Sequence, residues 1–198
     1  PVFFKLLDKE RGGAWEVEVE GLRRIGRAYL PRTNILRTCF ETDTGRLDVL
    51  DFMPVGRTMD AGVHDYVSLA APGWLVRRFE CREGRVRARM RLSPRGQDFA
   101  LQAPGIEIGP HGVEFGTGST LWCDAGMRPD PEGDGVEGVF ELGEGACLDA
   151  VLSSIQTLGD PRATVDRAYD TTRAFWEEWS EYSRYRGCNS FERRNAMV

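Results

Sequence analysis

The run WEVEVE, Trp15 to Glu20, alternates strictly, with Trp15, Val17 and Val19 on one side and Glu16, Glu18 and Glu20 on the other. A repeat of two has a natural solution in water: an extended strand with one buried and one solvated face. The pattern returns in RVRARMRL, where Val86, Ala88, Met90 and Leu92 alternate with Arg85, Arg87, Arg89 and Arg91. Shorter apolar runs start at Leu75 (LVRRFEC), Gly112 (GVEFG), Ser119 (STLWC), Val136 (VEGVFEL) and Ala146 (ACLDAVLSSI). With 23 glycines and 10 prolines spread along 198 residues, eight or more strands at this spacing predict an all-β sandwich or barrel.

The stretch YLPRTNILRTCFETDTGRLDVLDFMP, Tyr29 to Pro54, is the clearest hairpin. Pro31 stiffens its entry, TDTG turns the chain, and Pro54 ends the second strand, where its missing N–H costs no ladder bond. After Gly159 the period changes. Asp160–Pro161 is a helix start, an acceptor side chain ahead of a first-turn proline. Val165, Ala168, Tyr169, Thr172, Phe175, Trp176, Trp179 and Tyr182 then recur at three- and four-residue intervals. That spacing predicts an amphipathic helix of about five turns. A stripe with so many large aromatics must bury against something sizeable.

The chain has 31 acidic and 26 basic residues, a net charge of −5, which favours no nucleic-acid partner. No segment approaches the roughly 20 apolar residues of a membrane helix. The five cysteines, Cys39, Cys81, Cys123, Cys147 and Cys188, are odd in number and include no C-x-x-C pair. They read as reduced, mostly buried thiols of a cytoplasmic protein, not as a disulfide framework or a metal knuckle.

Candidate chemistry is sparse. The arginines of RVRARMRL could form an anion-binding face, but no base-stacking aromatics are interleaved with them. A glutamate stripe such as Glu16, Glu18 and Glu20 on a neighbouring strand would pair them instead. DPEGDGVEGVFE, Asp130 to Glu141, nearly matches a calcium loop, yet CDAGMRPD before it cannot be a helix, so it reads as a solvated hairpin loop. GTGST, Gly116 to Thr120, lacks the Gly-Lys-Ser/Thr ending of a phosphate loop and runs on into a strand. His64 and His111 read as surface loop residues with no nucleophile motif beside them. No catalytic, cofactor-binding or metal-ligating residue is assigned.

Several segments together resemble the amino-terminal domain of prokaryotic glycoside hydrolase family 15, the glucoamylase- and trehalase-like enzymes. PVFFKLLDKERGGAW is similar to the family's stretch of leucine-leucine-aspartate, glycine pair and tryptophan, and YLPRTNILRTCFETDTGRLDVLDFMPVG is the nearest match. LVRRFECREGRVRARMRLSPR follows the next segment, an arginine-rich strand pair, and FWEEWSEYSRYRG resembles the tryptophan-x-x-tryptophan helix leading into the catalytic domain. Arg32 departs from the family, which usually has glycine there. PRGQDFALQAP only loosely follows the usual proline-arginine-x-aspartate-tyrosine-glycine segment.

The resemblance implies an antiparallel supersandwich over residues 1–158 lacking its first strands, a linker helix over 159–186, and the start of a truncated helical segment at 187–198. Phe175, Trp176 and Trp179 would dock the domain on an (α/α)6 barrel, whose two glutamates perform inverting hydrolysis of α-glucosidic bonds. An α-glucan or trehalose would be met through that barrel, whose cleft rim this domain could help to shape, and because the catalytic glutamates lie in the barrel the chain by itself is expected to be inactive. The alternative is a free-standing carbohydrate-binding module using Trp15, Trp74 and Trp122. Self-association is left open by the sequence. For the near-calcium loop the expectation is direct: calorimetric titration with calcium gives no heat of binding, and a saturable heat would restore the motif.

Overall fold

The computed structural model describes residues 12–57, 69–94, 105–110, 112–116, 118–131, 135–153 and 159–182. Thirteen strands are found among them: β1 (Ala14–Val19), β2 (Leu22–Tyr29), β3 (Leu36–Thr42), β4 (Gly45–Phe52), β5 (Gly56–Arg57), β6 (Leu69–Ala70), β7 (Trp74–Ser93), β8 (Ile106–Gly109), β9 (Gly112–Phe115), β10 (Thr120–Cys123), β11 (Met127–Pro129), β12 (Val136–Gly143) and β13 (Cys147–Ser153). A 3-10 turn, Pro161–Thr164, leads into the helix α1 (Val165–Tyr182). The fold is the expected all-β sandwich with a C-terminal helix. His64, His111, Cys188 and the segment at 187–198 lie outside the described residues.

All pairings are antiparallel. One sheet has the order β2-β3-β4-β7-β13-β10-β9-β8, and a second is built of β1, β7, β12 and β11. β7 belongs to both. Its first half, Trp74 to Gly84, lies between β4 and β13, and its second half, Arg85 to Ser93, lies between β1 and β12. The sequence suggested two strands here, an arginine-rich pair. The structure corrects this to one 20-residue strand, because CREGR bends the chain without reversing it.

The bend has a local cause. The pairing of β4 with β7 shifts between Arg46 and Leu47, so one side of the ladder carries an extra residue. Gly84 then takes φ +64, a region that L side chains enter only at a cost. A Cβ on Gly84 would lie 2.2 Å from the Thr44 carbonyl oxygen, and one on Gly45 would lie 2.2 Å from the Glu83 carbonyl oxygen. Two glycines face each other, and the backbones close to a distance that no other residue permits. A strand that changes sheet in this way makes a corner of the sandwich.

Between the sheets lies the main core, with Leu47, Val49, Phe79, Val113, Leu121 and Ala150 from the larger sheet against Val86, Met90, Leu92 and Val136 from the smaller. Complete burial of each of these side chains larger than alanine contributes about 1.5–3 kcal/mol. A second cluster occupies the outer face of the larger sheet, where Leu50, Phe52, Val76 and Val151 meet Val165 and Tyr169 of α1. Phe52 and Tyr169 form an edge-on pair with ring centres 5.7 Å apart. The larger sheet is therefore apolar on both faces where α1 crosses it, and the helix is a third layer.

Asp160 caps the 3-10 turn, accepting from the Arg162 N–H at 2.9 Å, with Pro161 in the first turn. The helix start read from Asp160–Pro161 is thus realised as a tighter turn followed by α1. Gly84→Ala is expected to destabilise the domain by about 3 kcal/mol or more, since it combines left-handed strain with a backbone collision. Urea unfolding measures this, and a loss under about 1 kcal/mol would mean that the corner relaxes easily.

Candidate docking face and groove

The arginine stripe is resolved by the register. β1 places Glu16 opposite Arg91 and Glu18 opposite Arg89, and Glu20 donates its N–H to the Arg87 carbonyl. On the other side of β7, β12 places Glu137 opposite Arg91 and Glu141 opposite Arg87. The glutamate stripe expected to pair the arginines does so, and a second acidic strand joins it. Arg89 contacts Glu18 at 3.4 Å, Arg85 contacts Glu141 at 2.8 Å, and Arg91 contacts Asp130 at 2.5 Å. An arginine face so thoroughly countered presents little net positive field to a polyanion.

The near-calcium loop is the hairpin β11–β12, and part of its reading needs correction. Asp130 and Glu137 are buried, not solvated, at 5% and 1% exposure. Arg91 takes Asp130, while Arg128 takes Glu137 at 2.8 Å. These are internal counter-ions. Charges this deep persist only when partnered. Among the described residues no group of three or more His, Cys, Asp or Glu could hold a metal ion, and no helix is long and apolar enough to cross a membrane.

The first half of β7 treats its arginines the same way. Arg77 makes a forked contact with Asp51, at 2.7 and 3.2 Å, and Arg78 makes one with Asp149, 2.8 Å on each arm. Arg78 also reaches Asp166 of α1 at 2.6 Å. Its hydrogen bonds to Asp149, first among several causes, hold its pKa above the ordinary guanidinium value. Arg82 bridges Asp48 and Glu80, two acids directly opposite each other on β4 and β7. That bridge neutralises this facing pair of carboxylates. Burial, before other causes, pushes the Cys123 thiol up to about 12, so this thiol is inert at neutral pH.

Two surfaces among the described residues combine aromatic rings with exposure. The first is the aromatic stripe of α1. Phe175 is buried at 7% and Trp176 partly so, whereas Trp179 is 39% exposed. The three rings touch, with centres 5.3 Å apart for Phe175–Trp176 and 6.4 Å for Trp176–Trp179. Helical geometry puts Trp179 one turn of 3.6 residues beyond Phe175 and two beyond the fully buried Thr172, on one stripe. Exposure therefore rises toward the C-terminal end of the stripe.

The helix is held by contacts from distant segments. Thr172 Oγ1 accepts from the Val55 N–H at 3.1 Å, and Arg57 reaches Glu178 at 3.1 Å. Arg32 does most. It donates to Ser180 Oγ and to the Glu177 carbonyl, each at 2.9 Å, and pairs with Glu181 at 2.7 Å. Its backbone stands at φ +60, the single non-glycine residue in that region among those described. Sequence reasoning noted Arg32 as a departure but assigned it no role. The signal lay in a long cation placed where backbone geometry favours glycine.

The second surface is a groove of about 460 Å³, where the larger sheet extends past β1, the edge of the smaller. Trp15 and Phe40 line it together with Ile25, Arg27, Asp51 and Arg77. The Arg77 guanidinium lies 4.6 Å from the Trp15 ring centre and donates to the Trp15 carbonyl at 2.9 Å. Of the three tryptophans considered as sugar platforms, Trp15 packs against the main core, while Trp74 and Trp122 pack against the cluster beneath α1. They do not share one surface. In comparisons with known proteins, no family model and no curated protein matches the chain.

The Arg32 geometry separates strain from bonding. Arg32→Ala keeps the left-handed strain and loses three contacts, whereas Arg32→Gly loses the contacts and relieves the strain. The glycine variant is expected to be the more stable by about 1 kcal/mol. Thermal unfolding of the pair tests this, and equal midpoints would refute the strain.

Proposed function

We propose that this chain is the β-sandwich domain of a glycoside hydrolase of family 15, supporting an (α/α)6 catalytic barrel that carries the glutamates. The four segments that resemble the family, above all Tyr29 to Gly56, are the basis of the reading. In the folded chain that stretch forms β3, β4 and the loop bearing Arg32, and the loop, the end of β4 and Val55 are the parts of it that grip α1. An architectural signature of this kind needs no reactive group.

The observation that carries the proposal is the exposure of Trp179 on a stripe whose N-terminal half is buried. An aromatic ridge with Trp179 at 39% exposure is the chemistry of a docking surface. Phe175, Trp176 and Trp179 are the residues on which the barrel would rest. The chain's work in the whole enzyme would be positional, with α-glucan or trehalose bound and hydrolysed by the partner domain.

The alternative, a free-standing carbohydrate-binding module, would need Trp15, Trp74 and Trp122 as stacking platforms. Purified chain incubated with maltose, starch or trehalose is expected to release no glucose, and turnover by a homogeneous sample would overturn the scaffold reading. Titration with maltooligosaccharides, followed by tryptophan fluorescence, is expected to show no saturable change. Saturation would favour the binding module.

A further inference from the structure

The two sheets differ greatly in width, and among the described residues the difference leaves one flank of the sandwich open. β2 and β3 of the larger sheet continue past β1, which has β7 as its strand partner among the described residues. The consequence is visible in burial. Leu92, Met90 and Ala88 of β7 are at most 3% exposed, while their cross-strand neighbours Trp15, Val17 and Val19 are only partly buried. Beyond them, Ile25 is 46% exposed and Tyr29 48%. The groove described above runs between this rim and that floor.

The backbone of β1 faces the groove in a definite phase. The bond from Glu20 N–H to the Arg87 carbonyl, with Glu18 opposite Arg89 and Glu16 opposite Arg91, sets the ladder. Antiparallel ladders alternate, so the glutamates bond to β7 and the peptide groups of Trp15, Val17 and Val19 point to the open side. The Trp15 carbonyl, accepting from Arg77, agrees with that direction. Val17 and Val19 thus offer N–H and C=O groups along an edge of the kind that accepts another strand.

Charge says which strand. Across the outer face of the smaller sheet the sign alternates: Arg128, then Glu137, then Arg91, then Glu16, in one continuous row. The next strand after an acidic one is therefore basic, since like charges directly opposite are unfavourable. Glu16 ends that row, and Glu18, with its side chain 69% exposed, stands two residues along β1 opposite Arg89, so an incoming basic strand would meet both. The inward residues of the same strand would meet Trp15, Val17 and the Ile25 floor and must be apolar.

We propose that the open edge of β1 is a docking site for an extended polypeptide segment alternating arginine or lysine with aliphatic residues, which adds to the smaller sheet and closes the groove. Among the described residues, the sheet edges of a second copy do not supply such a strand: β1 alternates with glutamate and β11 has only three residues. β2 has Arg23 and Arg24 adjacent, breaking the alternation, and β8 alternates isoleucine with Glu107. This inference does not depend on the glycoside hydrolase reading and survives its failure.

The test uses the full chain and two synthetic nonapeptides, one alternating arginine with valine and isoleucine, the other carrying glutamate at the arginine positions. The arginine peptide is expected to saturate, to protect the Val17 and Val19 amides from hydrogen exchange, and to bind at least about tenfold more tightly than its glutamate counterpart. Val17→Pro removes one outward N–H without touching the bonds to β7, as an edge strand tolerates, and is expected to weaken binding about tenfold. Ile25→Asp, on the exposed floor, gives the same loss should the proline variant fail to fold. Glu18→Lys is expected to reverse the preference between the peptides. The proposal fails if neither peptide binds, if both bind equally, or if the variants leave binding unchanged. It fails also if the chain alone self-associates with protection of the same two amides.

Discussion

Among the described residues, β7 is the strand common to both main sheets, and every other strand of those sheets reaches it directly or through a chain of pairings. A single 20-residue strand crosses from one sheet to the other, and its passage requires the backbones at Gly84 and Gly45 to approach more closely than any Cβ allows. The bend aims the second half of β7 at β1 and β12 and keeps the first half with β4 and β13. The main core is the space enclosed by that turn. Neither sheet has an independent origin, because both grow outward from the same chain segment.

The same strand concentrates the charge. β7 carries Arg77, Arg78, Arg82, Arg85, Arg87, Arg89 and Arg91, and the register sets acids from neighbouring strands opposite most of them. Asp51, Asp149, Asp48, Glu80, Glu18, Asp130 and Glu141 hold the near partners. The buried pairs among them, Arg77–Asp51, Arg78–Asp149 and Arg91–Asp130, contribute little net stability against an apolar replacement, but losing one partner costs about 3–5 kcal/mol. They act as registry marks. A slip of one residue would turn the arginines inward and their acids away, so misaligned pairings are strongly disfavoured.

What the sequence revealed follows from this physics. Period-two alternation made β1 and the second half of β7 plain, and the sign complementarity of Glu16, Glu18 and Glu20 with the arginines was readable before any register was known. The helix and its start at Asp160 were equally legible. The corner was not, because CREGR carries the glycine and polar residues of a reversal, and only the close approach of Gly45 distinguishes a bend from a turn. β2 escaped because its residues are exposed on both faces, which leaves no hydrophobic period to detect. The burial of Asp130 and Glu137 escaped because it depends on Arg91 and Arg128 arriving from other strands. The aromatic stripe of α1 was legible as a face that must be covered, whereas the groove depends on where β1 stops relative to β2, which no local pattern encodes.

The contacts on α1 have a mechanical consequence. An 18-residue helix is about 27 Å long, and this one is fastened near its beginning by Asp166 to Arg78 and near its end by Glu181 to Arg32. A slip of about 1 Å at one fastening would tilt a rod of that length by only about 2°. The tryptophan ridge is thereby offered at a nearly fixed angle to the sheets, and a body seated on it would inherit that orientation as from a bracket bolted at both ends.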